Sequence, residues 1–121
     1  SWWDTVDTLA IRVAGEFFKI YPDLRLETTE RWICSDNFWL QRVAIIHQLK
    51  YKGKTDESLL FNYCERLQNN EEFFIQKGIG WALREYSKTN AAAVISFVSN
   101  TDLAKFSKRE ALKWLKSKSR L

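Results

Sequence analysis

Asp36-Asn37-Phe38-Trp39-Leu40-Gln41-Arg42 and Glu71-Glu72-Phe73-Phe74-Ile75-Gln76-Lys77 align at an offset of 35 residues. Acid stands on acid, aromatic on aromatic, glutamine on glutamine and arginine on lysine. Further on, Tyr51 stands on Tyr86. Self-similarity at this spacing marks a stack of repeated helical units.

Each unit holds one strongly patterned helix and then a second. That is an antiparallel helix pair at the period of HEAT-like repeats. The predicted fold is all-α, with antiparallel helix pairs stacked as an α-α superhelix. Composition agrees: proline occurs once, at Pro22, and glycine four times. Val and Ile fall in 3.6-residue patterns and do not alternate. About seven helices are expected, over 1–20, 24–35, 37–51, 55–68, 71–87, 89–99 and 107–118. Pro22 stops the first, and Gly53 suits the break after the third. Ser1 with Asp4, Asn69 with Glu72 and Ser107 with Glu110 stand at or near capping-box spacing. Residues 1–35 read as a more divergent pair, and 107–118 as a further start or a cap. Long linkers are absent, so 1–121 is expected to form a single repeat domain.

The chain of 121 residues carries 19 Lys and Arg against 15 Asp and Glu, a net charge of +4. That excess is modest, so placement matters more than total. Cations gather at Lys50, Lys52 and Lys54, at Lys77, Arg84 and Lys88, and in the tail from Lys105 to Arg120. Two cysteines, Cys34 and Cys64, make neither a disulfide framework nor a zinc cluster. His47 stands alone and is expected as a partly exposed helix residue. No metal and no cofactor are expected. No stretch approaches the ~20 apolar residues of a membrane span, and no signal peptide is visible. The expected setting is reducing and cytoplasmic, with no membrane partner.

Stacked pairs present a concave face. On the first helix Trp3 and Asp7 stand four residues apart, an indole and a carboxylate on one side. In the third, Phe38, Trp39, Val43, Ile46 and Leu49 form a packing stripe, with Arg42 beside it and Lys50 eight residues on. In the equivalent helix Lys77, Trp81 and Arg84 share a face. Gly78 and Gly80 flank Trp81, and a helical glycine costs up to ~1 kcal/mol against alanine. Their small size leaves the indole accessible or admits another backbone. Taken singly, these features also fit a capped helix start with solvated acids, and ordinary helix packing. Taken together, the cations suit phosphates and the indole faces suit sugars or bases. A carboxylate among them repels a DNA backbone, which points to chemistry on a positive charge.

Three strings, Trp2-Trp3-Asp4-Thr5-Val6-Asp7, Asn37 to Gln48 (Asn-Phe-Trp-Leu-Gln-Arg-Val-Ala-Ile-Ile-His-Gln) and Phe73 to Tyr86 (Phe-Phe-Ile-Gln-Lys-Gly-Ile-Gly-Trp-Ala-Leu-Arg-Glu-Tyr), resemble the AlkD-like DNA alkylation repair family. These are bacterial HEAT-like-repeat DNA glycosylases. The resemblance implies excision of N3- and N7-alkylated purines from double-stranded DNA. It matches Asp7 to the family's catalytic aspartate, and Trp3 and Trp81 to the indoles flanking the lesion's deoxyribose. Arg42 matches an arginine that holds the backbone beside them. Phosphate contacts are then expected at Arg42, Lys50, Lys52, Lys77 and Arg84. The chemistry is coherent, because an alkylated purine is already cationic and leaves without a general acid. A carboxylate can stabilise the oxocarbenium ion and place the water.

Family members are longer, and their matching motifs lie in the C-terminal half. The chain is therefore expected to be the C-terminal part of a longer protein, with weakened activity alone. It is also expected to expose an apolar repeat end that invites self-association. Two other functions fit less of the pattern: a non-catalytic DNA-binding HEAT module and a protein-interaction scaffold.

Overall fold

The computed structural model describes the backbone of residues 2–119 and 121 and the side chains of 4–119 and 121. Among these, every regular element is helical: α1 (Trp2–Ile20), α2 (Arg25–Ile33), α3 (Phe38–Ile46), α4 (Glu57–Arg66), α5 (Phe73–Ser87), α6 (Ala91–Asn100) and α7 (Lys105–Ser117). Short 3₁₀ turns occupy Pro22–Leu24 and Lys52–Lys54. The odd-numbered helices pack side by side, α1 on α3, α3 on α5 and α5 on α7. Behind them α2 and α4 lie on α3, and α6 lies on α5 and α7. This is the expected stack of helix pairs.

The repeat is visible in hydrogen bonding as well as in sequence. Gln41 Nε2 donates to the carbonyl of Ile33, at the end of α2. Its counterpart Gln76 donates to the carbonyls of Leu67, Gln68 and Asn70, just beyond α4. Each amide satisfies helix-end carbonyls that would otherwise be orphaned. Asn37, Asp56 and Asn90 cap α3, α4 and α6, accepting from the amides of Trp39, Leu59 and Ala93. Between the layers Ile45, Ile46, Ile75, Ile79, Leu83 and Val94 are fully buried. Tyr63 joins them without loss, because its hydroxyl pairs with Thr29 Oγ1 at 2.7 Å.

Several local expectations are corrected. Helix α3 stops at Ile46 rather than 51. Just beyond it, the Gln48 side chain bonds both the amide and the carbonyl of Asp56. The left-handed residue in the following turn is Lys52, with φ 52°, and not Gly53. Helix α7 begins at Lys105, with Ala104 before it and no side-chain cap. Ser107 is buried within its first turn, its hydroxyl 2.9 Å from the Gln76 carbonyl and 2.8 Å from Gln76 Oε1. Asn70, not Asn69, accepts the Glu72 amide. Ser1 lies outside the described residues.

His47 is fully buried rather than partly exposed. It lies edge-on to Phe18 and Tyr51, with Nδ1 2.6 Å from the Ala44 carbonyl. Burial pushes its pKa down to about 4. Along the outer side of α1 runs the expected apolar end: Val6, Leu9, Val13, Phe17 and Ile20 are all exposed. Their spacing of three and four residues makes one continuous stripe. No helix among the described residues is long and apolar enough to cross a membrane.

Candidate active site

A buried carboxylate is tolerated only with a partner, and Asp7 has one. It is 6% exposed, and the Arg42 side chain from α3 is 4% exposed. Arg42 Nε donates to Asp7 Oδ1 at 3.0 Å and Nη2 donates to Oδ2 at 2.8 Å. The planar fork matches both carboxylate oxygens, the strongest geometry such a pair adopts. Arg42 Nη1 donates in turn to the Phe74 carbonyl on α5. The guanidinium carbon lies 5.8 Å from the centre of the Trp81 ring. One side chain thus fixes α1, α3 and α5 to each other.

The two glycines beside Trp81 make room for these neighbours. A Cβ at position 78 would lie 3.0 Å from Arg42 Nη1. A Cβ at position 80 would lie 2.7 Å from Glu110 Cβ on α7, closer than such atoms pack. Gly78 therefore clears space for the guanidinium and Gly80 lets α7 close on α5.

Asp7 and Arg42 line a groove of about 270 Å³ with Asp4, Thr8, Phe74, Lys77, Trp81, Arg84 and Glu110. Its three carboxylates and three cations cancel, so the groove is formally neutral. Arg84 Nη1 stands 3.9 Å from Glu110 Oε1, and Lys113 Nζ stands 3.9 Å from Glu110 Oε2. Thr8 and Trp81 are shared with a second groove of about 300 Å³, lined also by Ile11, Arg12, Gly15, Glu16, Lys19, Lys50 and Tyr51.

Of the residues singled out in the sequence, Asp7, Arg42, Lys77, Trp81 and Arg84 meet in one groove. The solvated-acid alternative for Asp7 does not hold, given its burial. Arg42, expected on a phosphate, points its guanidinium at Asp7 and the Phe74 carbonyl instead of solvent. Lys50 lies in the second groove. Lys52 lines a separate pocket with Ile45, Leu49, Ala82 and Lys88, away from both. Trp3 belongs to α1 one turn before Asp7, but its side chain lies outside the described residues. Sequence reasoning missed Glu110, whose place depends on α7 packing, and Arg12. Thr8, Arg12 and Lys19 fall on one helical face, which was the available signal for Arg12.

A family model described as DNA alkylation repair enzyme matches residues 1–115. Among solved structures the chain is similar to a predicted DNA alkylation repair enzyme from Enterococcus faecalis, with 36% identity and a TM-score of 0.85. The match covers 95% of this chain and 54% of that one, so the chain spans about half the length of that relative. No curated protein matches it.

Proposed function

The chain belongs to the DNA alkylation repair enzyme family, and on that premise we propose that it excises cationic N3- and N7-alkylated purines from double-stranded DNA. The reaction is hydrolysis of the N-glycosidic bond. One observation carries this reading: the Asp7 carboxylate, locked by two hydrogen bonds, lines the same groove as the Trp81 indole. A carboxylate has about four acceptor sites, so the Arg42 fork leaves capacity for an attacking water. Held in place beforehand, it stabilises positive charge on the sugar without reorganising at the moment of reaction. The indole face adds cation–π stabilisation as charge is shared between sugar and base.

Arg42 is in this reading a positioning residue, acting on the substrate through Asp7. Lys77 and Arg84 line the same groove and are the proposed phosphate contacts there. A formally neutral groove suits a reacting centre that turns cationic better than it suits a run of phosphates. That favours an enzyme over a simple DNA-binding module.

The apolar stripe on α1 supports a second proposal, that copies of this chain associate through it. Five large apolar side chains in one line on a single helix are a packing surface without a partner among the described residues.

The test of the activity is release of 7-methylguanine from methylated duplex DNA, comparing the chain with Asp7→Asn. Release is expected to fall at least ~100-fold in the variant, the scale of losing one preorganised electrostatic group, with duplex binding largely kept. Equal release by the two proteins would overturn the role of Asp7.

A further inference from the structure

The pocket that Lys52 lines takes no part in the chemistry above. It measures about 290 Å³ and shares no lining residue with either groove. Its floor is Ile45, Leu49, Leu60 and Ala82. Leu49 is half-buried and the other three are buried. Its rim carries Lys52, Thr55, Lys88 and Thr89. One acid, Glu85, also lines it, and Lys88 Nζ lies 2.6 Å from Glu85 Oε2. That pairing cancels two charges and leaves Lys52 as the uncompensated cation. Among the described residues the Lys52 ammonium and the hydroxyls of Thr55 and Thr89 make no hydrogen bond or ion pair. Lys52 is also the residue with φ 52°, although Gly53 adjoins it. A lysine seldom adopts that conformation, and such outliers gather at ligand sites.

We propose that this pocket binds a small amphiphilic carboxylate, its hydrocarbon on the apolar floor and its carboxylate at Lys52. The floor has no polar group to offer, so it suits a hydrocarbon body. A free ammonium beside two free hydroxyls suits an oxyanion, which accepts from all three. Size sets the body: about 290 Å³ is the volume of about ten waters, which admits roughly eight carbons and a carboxylate. The occupant lies against α3 and α5, the helices that carry Arg42 and Trp81. The proposal does not depend on the reaction assigned to Asp7.

Calorimetric titration of the chain with straight-chain carboxylates, from butanoate to dodecanoate, tests it. Affinity should climb about fourfold per methylene, then level once the floor is filled, near about eight carbons. Octanol, of the same length but uncharged, should bind about tenfold more weakly. Lys52→Gln should bring octanoate down to the level of octanol and leave the chain-length trend intact. Lys52 is exposed and unpaired, so this variant keeps its fold. Ala82→Leu fills the floor and should abolish binding. Two controls should change nothing: Lys54→Gln, on the neighbouring turn outside the pocket, and Val13→Glu, on the apolar stripe of α1. Octanoate and octanol binding alike, or Lys52→Gln binding octanoate as the unaltered chain does, overturns the proposal. So does affinity that rises without levelling, or that is lost in Val13→Glu, since the acids then coat the α1 stripe. No saturable binding of any chain length overturns it outright.

Discussion

Asp7 and Arg42, 35 residues apart, are joined by hydrogen bonds of 3.0 and 2.8 Å, so the ion pair links equivalent positions of successive repeats. Both partners are buried, and removing one strands the other. Arg42→Ala is expected to cost about 3–5 kcal/mol of stability, whereas replacing both by apolar residues costs far less. Chemical denaturation of Arg42→Ala, Asp7→Leu and the double variant checks this as a coupling energy. Additive losses would mean that the pair does not behave as a unit.

Gly78 sets how close the guanidinium can sit. Gly78→Ala places a methyl 3.0 Å from Arg42 Nη1, and the side chain must give by a few tenths of an ångström. The expected result is a drop in excision of about tenfold or more with a stability change under about 1.5 kcal/mol, because a small misplacement affects rate more than packing. Kinetics and a melting curve on the same preparation decide it.

Gly80→Ala acts in the opposite sense. Its methyl would lie 2.7 Å from Glu110 Cβ, on the interface between α5 and α7. Overpacking of this kind costs about 1–3 kcal/mol. Thermal unfolding should show the loss, and Glu110→Gly in the same background should recover part of it.

His47 makes stability depend on pH. Folded, its pKa is about 4, below the ordinary 6.5 of a free imidazole. The unfolded chain therefore binds the proton first as pH falls. The contribution of the neutral ring is complete above pH 6.5, declines between 6.5 and 4, and is gone below. The total is on the order of 3 kcal/mol. Denaturation across pH 4–7 should show this decline, and His47→Gln should flatten it. A wild-type profile level across that range would contradict the burial of the ring.

The stripe on α1 should pair copies of the chain. An antiparallel pairing centred on Val13 sets Val6 opposite Ile20 and Leu9 opposite Phe17. Sedimentation should show concentration-dependent dimers that Val13→Glu abolishes with little change in helix content. A strictly monomeric chain at high concentration would rule the pairing out.

Helix number and stacking order were legible from the offset between Gln41 and Gln76, since the amides that align in sequence do the same task in space. Legible too was the gathering of Asp7, Trp81, Lys77 and Arg84, because helical spacing and repeat register fix which side each faces. Burial was not. Arg42 and Lys77 are equivalents in the repeat, yet one is buried against Asp7 and the other is exposed. The difference arises from the neighbouring helix, which offers a carboxylate to one and open groove to the other. Ser107 was misread for a similar reason. A serine three residues before a glutamate signals a cap, but the helix starts earlier once the hydroxyl finds the Gln76 carbonyl. The burial of His47 was not legible either, since it depends on Phe18, brought against the ring from α1.

Helix α1 packs on α3 and on the Pro22–Leu24 turn. Local opening of one element needs less free energy than global unfolding. Asp7 rides on α1, whereas Arg42 and Trp81 sit on α3 and α5. Detachment of α1 would dismantle the groove while leaving the remaining core folded. Amide exchange along α1 is then a clock for how often the carboxylate leaves its post, and a bound strand that touches both α1 and α5 should slow it.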